Sequence, residues 1–252
     1  MKYAEVLNEH NFTQEAIKGF QPGLKKLVKG EKLAELSELE AYHHNVFVSL
    51  SCILSSFNRL YLTGIYLKHF IKSDVLDKHG ISQADCIQYH YSNHVTILVG
   101  IDDQALILTN YTFRLGLSER KCNKDTVIKN ALVISTGVDE ILKQIQEVAE
   151  PRRYCRNLYV HRGFARKNEN VSFLAAYEYA MQNMSDDYDN LKYILEPYEE
   201  LVVDDIEREL SKQEKQMFTY VEELLTKLLK VYKAMDEELT YRELKDISKG
   251  IK

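Results

Sequence analysis

Proline is scarce in this chain: Pro22, Pro151 and Pro197 are the only three in 252 residues. So few breakers leave room for long helices and argue against a structure built from many short turns. Cysteine is sparse too, and Cys52, Cys86, Cys122 and Cys155 include no C-x-x-C pair. Neither a zinc site nor a disulfide framework is indicated, so no metal is expected and reduced thiols fit best. The chain lacks both G-x-x-x-x-G-K-S/T and G-x-G-x-x-G, which removes the usual nucleotide-binding loops; no cofactor is expected. Long apolar runs are missing as well. The longest uncharged stretch, 41–58, contains His43, His44 and Asn45 with further polar side chains, and Arg59 closes it. That composition is too polar for a bilayer span and suits a buried helix. Glu5 and Glu9 sit where a secretory signal would need apolar residues. A cytoplasmic protein without a membrane partner is the expectation.

Excess charge of one sign is also small, at −5 overall. A protein that coats nucleic acid indiscriminately usually carries a broad basic face, and this chain cannot supply one. The average conceals a local exception. Five of the ten arginines (Arg152, Arg153, Arg156, Arg162 and Arg166) lie within fifteen residues, so the window 150–170 is +4 and the remainder −9. A focused basic patch follows.

With 45% apolar and 28% charged residues, the chain can bury a substantial core. Its apolar residues recur at three- and four-residue spacing, which predicts an all-α antiparallel bundle of long helices with additional C-terminal helices. Leu36, Leu39, Val46, Leu50, Ile53, Leu54, Phe57, Leu60, Tyr61, Ile65 and Phe70 mark a first helix over about 33–71. A second is expected over 82–117, and a third after Asp125 as N-cap. Pro151 suits the first turn of a short fourth helix ending near Gly163. A charged amphipathic helix is expected from about Pro197 to Met235. A helical domain over 1–185 with an extension over 186–252 is the working division, with a single domain as the alternative.

Several constellations have plain structural readings. His90 and His94 share a helix face at i, i+4, as paired metal ligands do, but no intervening glutamate or third ligand accompanies them. Glu40 and His43 have the Glu-x-x-His spacing of di-iron bundles, which need two such motifs, and no second exists. The seventeen tyrosines, Tyr177, Tyr179, Tyr188, Tyr193 and Tyr198 among them, could stack on bases but read better as residues at the edge of a core. Asp102 and Asp103 lie inside an apolar helix, where a carboxylate needs a partner.

The stretch "RNLYVHRG", Arg156–Gly163, combines a permanently charged planar fork that grips phosphate with an imidazole that moves protons near neutrality. Those are the tools of a metal-free ribonuclease, in which the 2′-OH attacks the adjacent phosphate. A base must take its proton, a cation must stabilise the added charge, and an acid must protonate the leaving 5′ oxygen. DNA, lacking the 2′-OH, is spared. Five residues of α-helix leave Arg156 and His161 roughly 140° apart in azimuth and about 7.5 Å apart along the axis. Convergence therefore requires the helix to fray toward Gly163, or a twofold dimer to bring two copies together.

Arg156, Asn157 and His161, near the end of a late helix in an all-α chain, resemble the Arg-x(4–6)-His signature of the HEPN superfamily, in which a polar residue often follows the arginine. The resemblance implies an all-α bundle that dimerises through its motif helices. It also implies a metal-independent endoribonuclease of the kind found in toxin–antitoxin, phage-defence, CRISPR-associated and RNA-processing systems. Carried over by position, Arg156 would stabilise the scissile phosphate, His161 would be the general acid/base, and Asn157 would orient one of them or the substrate. Arg152, Arg153, Arg162 and Arg166 would bind the RNA backbone. Some members use an acidic residue from an earlier helix, for which Asp102 and Asp103 are the candidates. Partners implied are RNA, a second copy of the chain, and an antitoxin or other regulatory protein. The branch paired with nucleotidyltransferase antitoxins has a tyrosine two residues after the histidine; Gly163 stands there, which counts against that pairing. The alternative is a noncatalytic all-α dimer that holds nucleotide, RNA or a protein in the same basic groove.

Overall fold

The computed structural model describes the backbone at residues 2–69, 76, 78–162, 171, 173–177, 179 and 188–250, with side chains at these positions except 158–162, 188–197, 199 and 247–250. The protein is all-α, and among the described residues there is no strand. In chain order the helices are α1 (Tyr3–Glu9), α2 (Asn11–Val28), α3 (Glu38–His69), α4 (Gln83–Thr112), α5 (Ala131–Ser135), α6 (Val138–Arg162) and α7 (Tyr188–Gly250), with a further helical stretch around 173–177.

Helix boundaries follow local capping chemistry. Ser37 and Glu40 form a reciprocal capping box: the Glu40 amide donates to Ser37 Oγ at 3.2 Å, and the Ser37 amide donates to Glu40 Oε2 at 3.0 Å. That box starts α3 at Glu38, later than the apolar pattern alone predicts. Ser82 caps α4 through Asp85 N–H at 3.0 Å. The exit of α4 comes at Thr112, ahead of the expected 117. There the Asn110 amide both donates to Leu117 O and accepts from Leu117 N–H, at 3.0 and 3.1 Å, and Gly116 turns with φ +72°.

Three expected boundaries are corrected. Asp125 does not open a long helix, because Asn123 Oδ1 accepts from the amides of Asp125 and Thr126 and folds this stretch into an Asx turn. Asn130 caps α5 instead, and Gly137, at φ +68°, separates α5 from α6. Pro151 does not begin a helix; it lies inside α6, which runs 25 residues from Val138 to Arg162. Pro197 likewise lies inside α7, whose 63 residues start well before it and continue past Met235. A proline forfeits one hydrogen bond and crowds the preceding turn, a local cost; at Pro151 the inward stripe continues on either side, with Ala149 before it and Arg152 and Cys155 after it. Helices α1 and α2, which the apolar periodicity did not single out, are joined at His10, whose Nδ1 caps α2 through Phe12 N–H at 3.1 Å.

The chain packs as two compact units, one comprising Met1–Asn58, Gly100–Glu147 and Met217–Lys252, the other Arg59–Val99 and Val148–Gln216. In the first, Leu7, Phe12, Leu50, Ile53, Phe57, Ile101, Leu108, Ile141 and Leu224 are fully buried. By length and composition α3 is apolar enough to cross a membrane, yet its Val46, Leu50, Ile53 and Phe57 belong to this core. In the second unit, Leu67, Ile87, Tyr91, Val95, Leu174, Val202, Ile206 and Leu210 form a separate cluster, with Cys155, Tyr177 and Tyr198 at its edge.

A polar relay is embedded in the first unit. His43 is buried, with Nδ1 at 2.6 Å from the Tyr232 hydroxyl and Nε2 at 3.0 Å from Asp236 Oδ1. The Tyr232 ring also packs on Tyr42 and Phe12. Glu40, the other half of the Glu-x-x-His pair, is engaged elsewhere, by Lys26 Nζ at 2.8 Å. Helix α2 closes over the relay at Gly19, where an added Cβ would lie 2.5 Å from His43 Nδ1 and closer still to the Tyr232 hydroxyl. Gly19→Ala is therefore expected to cost about 1–3 kcal/mol, as overpacking of a filled core does, although alanine is the better helix former. Urea unfolding of the variant beside the wild type measures it.

Candidate active site

Because α6 is continuous, its phase decides which of the clustered residues face inward. Ile141, Leu142, Ile145 and Ala149 are buried, and Arg152 and Cys155 continue the same stripe across Pro151. The opposite face is solvated, with Tyr154 62% exposed and Asn157 also exposed. Arg153 and Arg156 are half-buried; at 100° per residue Arg156 falls within the inward stripe, about 40° from Arg152, and Arg153 at its margin.

Arg152 sits at the centre of a clamp within the second unit. Its Nη1 donates to the Tyr91 hydroxyl at 2.8 Å, and its guanidinium makes an ion pair with Glu209. With its oxygen turned toward the arginine, the Gln213 amide accepts from Nη2 at 2.9 Å and from Nε at 3.2 Å. The side chain is 16% exposed. Helix α6 is thereby tied to α4 and α7 by a charge-assisted fork, a geometry that lysine's single ammonium could not reproduce. This leaves Arg152 with most of its donors committed inside the protein.

His94, on α4, lies in the same environment. It is 1% exposed, and among the described residues neither ring nitrogen has a hydrogen-bond partner. Burial, reinforced by the nearby Arg152 charge, pushes its pKa down to about 3, so the imidazole stays neutral in the folded protein. His90, its i, i+4 companion, stacks on Tyr66 with ring centroids 5.2 Å apart. No group of three metal-ligating side chains occurs among the described residues.

The other candidates are distributed as follows. Arg153 Nε pairs with Glu150 at 3.2 Å, one turn back on α6. Arg156 and Asn157 follow on the same helix, and the backbone stays helical through positions 161 and 162. Fraying before His161 is thus absent, and positions 156 and 161 keep the roughly 140° separation of an intact helix. The side chains of His161 and Arg162, and the whole of Gly163 and Arg166, lie outside the described residues. Asp102, buried at 3% exposure, and Asp103 belong to the first unit rather than to the unit that carries the motif, and neither lacks an interaction. Sequence reasoning missed Tyr91, Glu209 and Gln213 as partners of the arginine cluster, since pairing across 61 positions of chain leaves no local signal.

Two outcomes follow. Arg152→Ala should destabilise the protein by on the order of 2 kcal/mol, below the cost of breaking a fully buried pair because Glu209 retains access to water; denaturant titration provides the number. His94 is neutral when folded and takes a proton when unfolded below its ordinary pKa of 6.5, so it favours the unfolded chain increasingly as pH falls from 6.5 toward 3. His94→Leu should therefore flatten the acid-side loss of stability by up to about one proton over that window, read from unfolding free energies measured at several pH values.

No curated protein and no solved structure matches this chain. Residues 39–236 match the profile of the Cthe2314-like HEPN family. That match takes in α3, α4, α5, α6 and most of α7, and with them the Arg-Asn-x-x-x-His segment at the end of α6. The chain belongs to the Cthe2314-like HEPN family.

Proposed function

We propose that this protein is a metal-independent endoribonuclease of HEPN type, acting in the cytoplasm as a toxin or defence protein, whose site forms where the α6 helices of two copies meet. The observation that carries the reading is Arg156-Asn157-x-x-x-His161 on the terminal turns of an unbroken helix in a HEPN chain. Helix continuity keeps Arg156 and His161 of one copy on divergent azimuths, so a twofold axis that supplies the second arginine and histidine completes the set.

In the proposed reaction His161 accepts the proton of the 2′-OH while that oxygen forms a bond to phosphorus. Arg156 stabilises the added negative charge, and the P–O5′ bond breaks as the 5′ oxygen takes a proton from the protonated histidine that the second copy supplies. The products are a 2′,3′-cyclic phosphate and a 5′-hydroxyl, and no metal takes part. Asn157 orients the histidine or the substrate. Arg153, Arg162 and Arg166 supply backbone attraction, a role to which Arg152 contributes less because its donors are committed to Tyr91, Glu209 and Gln213. Control by an antitoxin or other regulatory protein is part of the same proposal.

The purified protein should cut RNA in EDTA and leave cyclic phosphate ends, and His161→Ala should bind RNA while cutting it at least about 100-fold more slowly. In cells the wild type should arrest growth and degrade RNA where His161→Ala does neither. RNA left intact by the wild type across several substrates overturns the nuclease reading, and retained binding in that case identifies a noncatalytic module.

A further inference from the structure

Among the described residues, Arg114 is the one residue other than glycine whose backbone is left-handed, at φ +53°; Gly30, Gly80, Gly116 and Gly137 hold the other such positions. It stands just past the end of α4. There the Leu115 amide donates to Asn110 O at 3.0 Å and the Arg114 amide to Tyr111 O at 3.1 Å, a paired closure that ordinarily places glycine at this point. An arginine here carries conformational strain. Its guanidinium pairs with Glu38 on the first turn of α3, a side chain that is 53% exposed. Exposed pairs hold only weakly, so this one does not account for the strain. The guanidinium also lines a cleft of about 280 Å³ in the first unit, between the start of α3 and the exit of α4. Ala41, Tyr42, Tyr111 and Leu117 give that cleft an apolar and aromatic wall, and Asn45 adds an amide. The wall is set in advance of any ligand: the Tyr42 hydroxyl donates to Thr112 O at 3.2 Å, and its ring stacks on Tyr232 with centroids 5.6 Å apart. Leu117 is held at both backbone groups by the Asn110 side chain.

We propose that this cleft binds a small aromatic carboxylate, whose acid group replaces Glu38 on Arg114 while its ring lies against the Tyr42 and Leu117 wall. The Glu38 carboxylate marks the anion position, and its exposure lets it withdraw into water when a ligand arrives. A guanidinium offers a carboxylate two parallel donors, and the Asn45 amide can supply a further one. Size limits the ligand. The cleft is smaller than the roughly 300–1,000 Å³ of sites that hold drug-sized molecules, so a body of one or two rings fits. Charge limits it too. The displaced Glu38 and Glu119, whose carboxylate accepts from the Tyr111 hydroxyl at 3.4 Å, leave two acids at the rim beside one guanidinium. That balance favours a singly charged acid over a phosphate dianion. Strain at position 114 is then the condition for holding a cation where glycine would hold nothing. The site lies in the first unit and uses no residue of the α6 motif, so it stands apart from the nuclease reading.

The test has a binding arm and a stability arm. In the first, benzoate, phenylacetate and indole-3-acetate are titrated calorimetrically into the full chain, beside their uncharged amides and inorganic phosphate. At least one acid should bind with a Kd below about 1 mM, and its amide at least about tenfold more weakly. Arg114→Gln should weaken that acid at least about tenfold, and Leu117→Trp, which fills the cleft, should abolish its binding. Glu38→Gln removes the internal competitor and should tighten binding about threefold or more, an effect that adventitious adsorption does not show. The second arm needs no ligand. Arg114→Gly relieves the left-handed strain and should melt no more than about 2 °C below the wild type, whereas an arginine whose task is to tie α3 to α4 would lose more than that. Thermal unfolding of the other variants establishes that folded proteins are compared. The proposal is overturned by the absence of any acid with a Kd below about 1 mM, by equal binding of acid and amide, or by binding of phosphate alone. Unchanged affinity in Arg114→Gln or Glu38→Gln, or a larger melting loss in Arg114→Gly, overturns it as well.

Discussion

The uninterrupted phase of α6 is the constraint on which the arginine-rich region depends. A helix from Val138 to Arg162 repeats every 3.6 residues whatever the chemistry of its side chains, so each residue's task is set by its azimuth. Arg152 and Cys155 fall on the packed stripe; Tyr154 and Asn157 fall on the opposite face. Arg152, turned inward, thus does not contribute to an outward basic surface. The inward guanidinium serves as a tether, and the local positive field available to a ligand is smaller than the raw count suggests.

The tether explains why an arginine and not an aliphatic residue occupies position 152. A leucine there would hold α6 by area alone and tolerate sliding, while the guanidinium must meet Tyr91 on α4 and Glu209 and Gln213 on α7 at fixed angles. Directional bonds specify register; apolar burial supplies most of the energy. His94 adds the complementary electrostatic statement. The buried imidazole, its pKa pushed down to about 3 by burial and by the nearby Arg152, stays neutral beside the Arg152–Glu209 ion pair. The first unit uses the same device on a different scaffold, where Tyr232, His43 and Asp236 form a directional chain that Gly19 leaves room for.

The fold class was legible because it depends on a repeated local signal. Val46, Leu50, Ile53, Phe57 and Leu60 recur at helical spacing and are all buried. Boundaries were legible only where capping chemistry agreed with the apolar pattern, as at Ser82; at Ser37 the Ser-x-x-Glu box was present in the sequence and outvoted the apolar residues before it. Pro151 misled because a proline penalty is local and certain, while the burial that offsets it is distributed along the stripe and visible only in three dimensions. The residue types of the motif could be read directly from Arg156, Asn157 and His161. The separate duty of Arg152 could not, since it is defined by Tyr91, Glu209 and Gln213, all remote in sequence.

An intact helix has a further consequence for the proposed chemistry. Were α6 to unwind at His161, one chain could fold its histidine back toward Arg156 and act alone, at the cost of the last turn's hydrogen bonds. With the helix intact, that cost is avoided and the two groups of one copy stay apart. In the proposed dimer, assembly then becomes a condition for activity: a twofold axis places one copy's arginine opposite the other's histidine, and dissociation switches the site off without any change in either fold. A nuclease that endangers its own cell gains from such an arrangement, because activity falls with the square of concentration below the dimer dissociation constant.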